Sequence, residues 1–160
     1  MITERQTPEL QIESLAPRKP GLALRVELAG GLFSIPLQRV HHLSAYATLT
    51  PGPDPDPSGE SGDYFLGWLM LRGDWVPVFD LNRIVCDRPT PEHFGSRIIV
   101  LPTGIQPGGR PAAPTPYIGL LAPGVTDTLS PEQSNAVQAL NLDSYLPMLY
   151  TMIRPGPADV

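Results

Sequence analysis

Phe65-Leu66-Gly67-Trp68-Leu69-Met70-Leu71-Arg72-Gly73-Asp74-Trp75-Val76-Pro77-Val78-Phe79-Asp80-Leu81 carries more information about the fold class than any other part of the chain. Two apolar runs flank Arg72-Gly73-Asp74. Glycine beside aspartate between hydrophobic runs predicts a tight β-hairpin, because Gly73 takes a positive φ without steric cost. Asp80 stands where it can cap a short helix starting at Leu81, its carboxylate accepting from amides that a helix start leaves unpaired. Arg72 is the one cation of the stretch. At a hairpin tip it either offers its guanidinium to a carboxylate or carbonyl of a partner, or anchors the turn through an internal ion pair.

Working outward, Leu22–Leu28 alternates apolar and polar residues as a half-buried strand does, Ala29-Gly30-Gly31 turns, and Leu32–Leu37 returns as a second strand that Pro36 ends or places at an edge. Gln38–Leu43 reads as a short helix or strand. Ser96–Leu101 reads as a buried strand, and Tyr117–Ala122 and Val125–Leu129 as strands either side of Pro123-Gly124. Ser130-Pro131-Glu132-Gln133 is a capping box with proline at the first helical position, predicting a helix to about Leu140. Tyr145–Ile153 is a final apolar segment. Gly67 and Gly119 are expected at backbone-packing positions. Val40, Leu43, Leu69, Val76, Val78, Ile99, Leu120 and Val125 are expected in the core or lining a groove. Residues 1–20 are expected as a mobile tail, 21–154 as the folded domain and 155–160 as a C-terminal tail, with long exposed loops at Thr50–Asp63 and Thr103–Thr115.

The 160 residues suffice for one domain, and 21 prolines with 15 glycines disfavour a helical bundle. Short strands joined by many turns fit better: an all-β protein with short helices. A net charge of −5 argues against nucleic acid and against anionic membrane surfaces. No apolar run is long enough to insert in a membrane, and Met1–Gln6 lacks a secretory pattern, so a cytoplasmic location is expected. The lone Cys86 excludes an intrachain disulfide and is expected as a buried small hydrophobe. His41 and His42, being adjacent, point apart; a zinc site would need His93 and carboxylates to converge, and only that arrangement would make a metal-dependent enzyme. Asp54, Asp56, Glu60 and Asp63 lack calcium-loop spacing. No nucleophile elbow, phosphate loop or zinc-protease motif occurs, so no catalytic residue, cofactor or metal is expected.

The spacing of Gly67, the apolar run, Leu71-Arg72-Gly73, Val76-Pro77-Val78 and Asp80-Leu81 resembles the signature of the CheW-like domain, a family of adaptors that couple chemoreceptors to a histidine kinase in bacterial chemosensory arrays. The likeness extends through Val26–Leu43, Ser96–Leu101, Tyr117–Leu121 with Val125-Thr126-Asp127, and Ser130–Gln133. It implies two SH3-like five-stranded β-barrel subdomains packed around a hydrophobic groove. In the family, the groove and its rim engage the receptor's signalling tip, and one barrel's exposed strands pair with the kinase regulatory domain. The resemblance implies those partners for this chain, at membrane-associated receptor arrays, with Val40, His42, Leu43, Leu71, Arg72 and Gly73 as protein-binding residues. Three features depart from the pattern. His42 stands where members often carry glutamate, the 50–63 loop is long and proline-rich, and Arg154–Val160 offers no last strand. They motivate an alternative, a divergent scaffold that binds a dedicated partner or forms a homodimer.

Overall fold

The computed structural model describes residues 21–45, 48–51, 64–91, 95–105 and 107–153. Both expected tails, most of the 50–63 loop and His93 lie outside the described residues. In chain order the elements are β1 (Ala23–Leu28), β2 (Gly31–Pro36), a 3-10 turn (Leu37–Arg39), β3 (His42–Ala45), β4 (Phe65–Leu71), β5 (Asp74–Asp80), α1 (Leu81–Cys86), β6 (Arg97–Pro102), β7 (Tyr117–Ala122), β8 (Gly124–Leu129), α2 (Pro131–Ser134), β9 (Gln138–Ala139) and α3 (Leu142–Met152). They form two sheets, ordered β8-β1-β2-β9 and β3-β6-β7-β5-β4. The mostly-β, two-part architecture is as expected. Among the described residues both sheets have open edges; the first has four strands and the second five, and the last apolar segment forms α3.

Register follows from the central hairpin. Leu71 pairs with Asp74, so the turn has two residues, Arg72 at φ 52° and Gly73 at φ 92°. Positive φ at both matches the twist of the flanking strands. A bulge between Phe65 and Gly67 inserts Leu66 without an opposite residue. Phe65 and Trp68, three apart, therefore share a face, and the Phe65 ring stands edge-on to Trp68 at 5.6 Å and to Phe79 at 5.8 Å. Gly67, at φ 148°, lies so near the chain at Leu49 that a Cβ would sit 2.8 Å from the Leu49 Cβ and 3.2 Å from the Thr50 oxygen.

That close approach explains how a proline sits within β5. Thr50 and Trp68 exchange N–H···O bonds of 2.8 and 2.9 Å. They turn the Trp68 backbone groups away from β5, which makes Trp68 and Pro77 a pair without hydrogen bonds. Pairing with β7 begins one residue later, at Val78. Pro77 thus removes no ladder bond.

The five-stranded sheet is apolar on both faces. Ile99 and Leu101 of β6 join the main core with Val26, Ile35 and Leu120, while Ile98 and Val100 join Val76, Val78 and Leu121 on the opposite face. A strand covered on both sides needs a continuous apolar run, and Ile98–Leu101 supplies it. Gly119 keeps these layers close, since a Cβ there would meet Ile98 and Val78 methyls at 3.1 Å. Of the remaining expected core residues, Val40 and Leu43 are buried, whereas Leu69 and Val125 are only half-buried.

One C-terminal expectation needs correction. The capping box forms, with Ser130 and Gln133 bonded reciprocally at 2.9 and 3.2 Å, but α2 ends at Ser134 instead of near Leu140. None of its residues is buried, so it has no apolar stripe to extend it, and the chain leaves to pair Gln138–Ala139 with β2 in parallel. Tyr145–Ile153 belongs to α3, where Leu142, Leu146, Leu149 and the following Ile153 recur at helical spacing and close the main core despite Pro147.

Side chains of α1 tie the sheets together. The Ala29 N–H donates to Asn82 Oδ1 at 2.8 Å and the Gly30 N–H to Cys86 Sγ at 3.2 Å, so two side chains one helical turn apart hold the β1–β2 turn. Cys86 is half-buried and an acceptor, not the buried filler expected from sequence. Gly67→Ala forces a side chain into the Leu49 contact at a φ that L-residues rarely adopt, and is expected to cost about 2 kcal/mol of stability. Urea unfolding of the variant beside wild type measures it.

Candidate docking surface

Arg72 and Gly73 are exposed at the hairpin tip, and Leu71 is half-buried against the second apolar cluster. Behind them Met70 is 48% and Leu66 40% exposed, the largest apolar exposure on the hairpin. β4 is the outermost strand of its sheet, and Thr50 covers its free edge only at Trp68 among the described residues. From Asp74 to Pro77, β5 pairs with β4 alone. The hairpin therefore ends in a two-stranded arm whose tip is a cation and whose flank carries apolar side chains. Trp75, opposite Met70, holds a buried indole Nε1 with no acceptor.

Arg72 is a bulky residue in the left-handed region, a conformation costing about 1–2 kcal/mol outside glycine and asparagine. A side chain in that conformation is held there either by contacts that anchor the turn or by what it offers a partner. The structure places the guanidinium at an exposed tip, where both roles are sterically open to it.

The other expected docking residues lie apart from this arm. Val40 and Leu43 are 1% and 7% exposed and belong to the main core, so they offer no surface. His42 is half-buried on β3, at the opposite edge of the sheet from β4. Its register with Val100 places it on the face of the second apolar cluster, where burial lowers its pKa below 6.5. The His41 ring stacks on Tyr117 at 4.3 Å. No group of three metal-ligating side chains forms among the described residues, and His93 lies outside them.

Asp80 caps α1 as expected, accepting from the Arg83 N–H at 3.3 Å. It also accepts from the Thr90 N–H at 2.8 Å and from the Thr90 hydroxyl, fixing the loop after α1 while itself 2% exposed. Its chemistry is fully used in holding the fold. Sequence reasoning missed Thr90, for which no spacing rule exists. It also missed the exposed flank of β4, which the bulge hides by breaking the alternation of faces.

Fold and surface together define a compact two-sheet β module that presents a cation-tipped hairpin. The model of the CheW-like domain matches residues 22–150, and the chain belongs to that family. Among solved structures it is similar to the scaffolding protein TtCheW from Thermoanaerobacter tengcongensis, at 21% identity and a TM-score of 0.53, over 72% of this chain and 64% of that one. The chain thus spans less than two thirds of that relative, and the likeness is one of fold. A search of curated proteins finds no match.

His42 supplies a pH test. Its folded-state pKa lies below the unfolded 6.5, so the unfolded chain takes up the proton first, and stability falls as pH drops below about 6.5 toward the folded value. Urea midpoints at about pH 7.5 and 5.5 are expected to differ less in His42→Gln than in wild type.

Proposed function

We propose that this chain is a non-enzymatic adaptor of bacterial chemosensory signalling, joining a receptor's signalling tip to the regulatory domain of a histidine kinase. Membership of the CheW-like family supports the reading, and the exposed Arg72 arm is the observation that carries it for this particular chain. An adaptor works by position, so it needs rigid elements and a presented surface rather than a reactive side chain. Here a sheet buried on both faces supports the arm. Each contact would be weak, with a Kd of roughly micromolar, and would gain strength when many copies are arrayed together. The place of action is the cytoplasm, beside membrane-embedded receptors.

His42 favours a narrower second reading. By the family resemblance His42 stands on β3 where members often carry glutamate, and a half-buried histidine with its pKa lowered by burial lacks the negative charge that would attract a cationic partner. A chain serving one dedicated partner, or pairing with its own copy, fits that change.

Arg72→Asn separates docking from structure. Asparagine suits the left-handed turn, so the variant is expected to gain about 1 kcal/mol of stability. Its affinity for a receptor signalling hairpin or a kinase regulatory domain is expected to fall by about 2 kcal/mol. Calorimetric titration and thermal melting of the same preparations measure both. Lost stability with intact affinity for both partners would assign Arg72 to the turn alone.

A further inference from the structure

A second surface lies away from the hairpin. Between the β1–β2 turn, the end of α1, β9 and the start of α3 opens a cleft of about 510 Å³. Phe33, Val85 and Tyr145 give it apolar walls, and Arg88 stands at its rim. No aspartate or glutamate lines it, and Arg88 is exposed without an ion-pair partner among the described residues. On its far side Arg88 also borders a smaller cleft that contains Glu27, with no salt bridge between them.

The cleft is flanked by an open strand edge. Among the described residues β9 is the last strand of its sheet, paired on one side only, and both its residues are exposed. The Leu140 N–H donates to the Ser34 oxygen at 2.9 Å. Backbone groups alternate in direction along a strand, so the Ala139 N–H and C=O point outward, away from β2. One donor and one acceptor, apolar walls and an unpaired cation thus converge on the same space.

We propose that this cleft is a docking site for an extended segment of a partner protein in which apolar and acidic side chains alternate. The segment adds to the Ala139 edge, seats an apolar side chain between Phe33 and Tyr145, and places a carboxylate on Arg88. Strand addition supplies backbone bonds of no sequence preference, while the walls and the guanidinium select apolar and acidic side chains. The lining sharpens the selection, because no carboxylate within this cleft competes for the Arg88 guanidinium. The site is independent of the Arg72 arm, so it stands whether or not the arm binds receptor or kinase.

The test uses the full chain and a synthetic capped hexapeptide of alternating glutamate and leucine, with a lysine-and-leucine peptide as control. Amide chemical shifts of the protein report where each binds. The acidic peptide is expected to shift Arg88, Ala139 and Leu140 with a Kd below about 1 mM, and added salt to weaken it. Arg88→Glu is expected to weaken binding about tenfold. Ala139→Pro removes only the outward N–H and leaves the β2 pairing in place. It is expected to weaken binding comparably with little change in melting temperature. Absence of shifts at about 1 mM, equal binding of the lysine peptide, or shifts confined to residues 66–75 would overturn the proposal. So would unchanged binding in Arg88→Glu, which as an exposed substitution leaves the fold intact.

Discussion

Burial of one sheet on both faces is the constraint from which the other features follow. β6 must be apolar at every position from Ile98 to Leu101, because alternate side chains enter different cores. Once it is, β7 must yield space at Gly119, β4 must bulge at Leu66 to bring Phe65 and Trp68 onto one side, and Gly67 must let the chain at Leu49 pass close by. With apolar side chains on both faces, register is pinned by fit: a one-residue slip would bring a side chain into the close approaches at Gly119 and Gly67. The distal half of the hairpin is held by the same packing, through Leu69, Leu71 and Val76, and leaves its tip exposed.

Polar groups inside the molecule serve the same end. Asp80 is spent on α1 and Thr90, and Asn82 and Cys86 on the β1–β2 turn, so the short helix joins both sheets. The Arg39–Asp143 ion pair, 3.2 Å long and largely exposed, links the 3-10 turn to α3 and adds little by itself. Tyr150 lies near that pair; burial raises the pKa of its phenol, Arg39 opposes the rise and Asp143 adds to it. All these buried or half-buried polar contacts are structural, and what remains for partners is at the rims.

The hairpin, its turn, the Asp80 cap, the buried β6 and the capping box were legible because each depends on neighbours in sequence. Gly73 beside Asp74, Asp80 before Leu81, and Ser130 with Gln133 state their geometry within a few residues. The C-terminal region was not legible, because Pro147 masks the helical period of Leu142, Leu146 and Leu149, and the β9 pairing depends on β2, about a hundred residues away. The exposed hairpin tip was legible and its flank was not. Arg72 announced itself as the one cation in an apolar stretch. Val40 and Leu43, expected either in the core or lining a groove, lie in the main core, because an apolar side chain beside a strand end can turn either way.

The proposed function requires this chain to hold two other proteins at once. Its most direct test is sedimentation velocity on the protein mixed with a receptor signalling hairpin and a kinase regulatory domain, each alone and then together. One faster species containing all three is the expected result. Two binary complexes that exclude each other, or no complex with either partner, would contradict it.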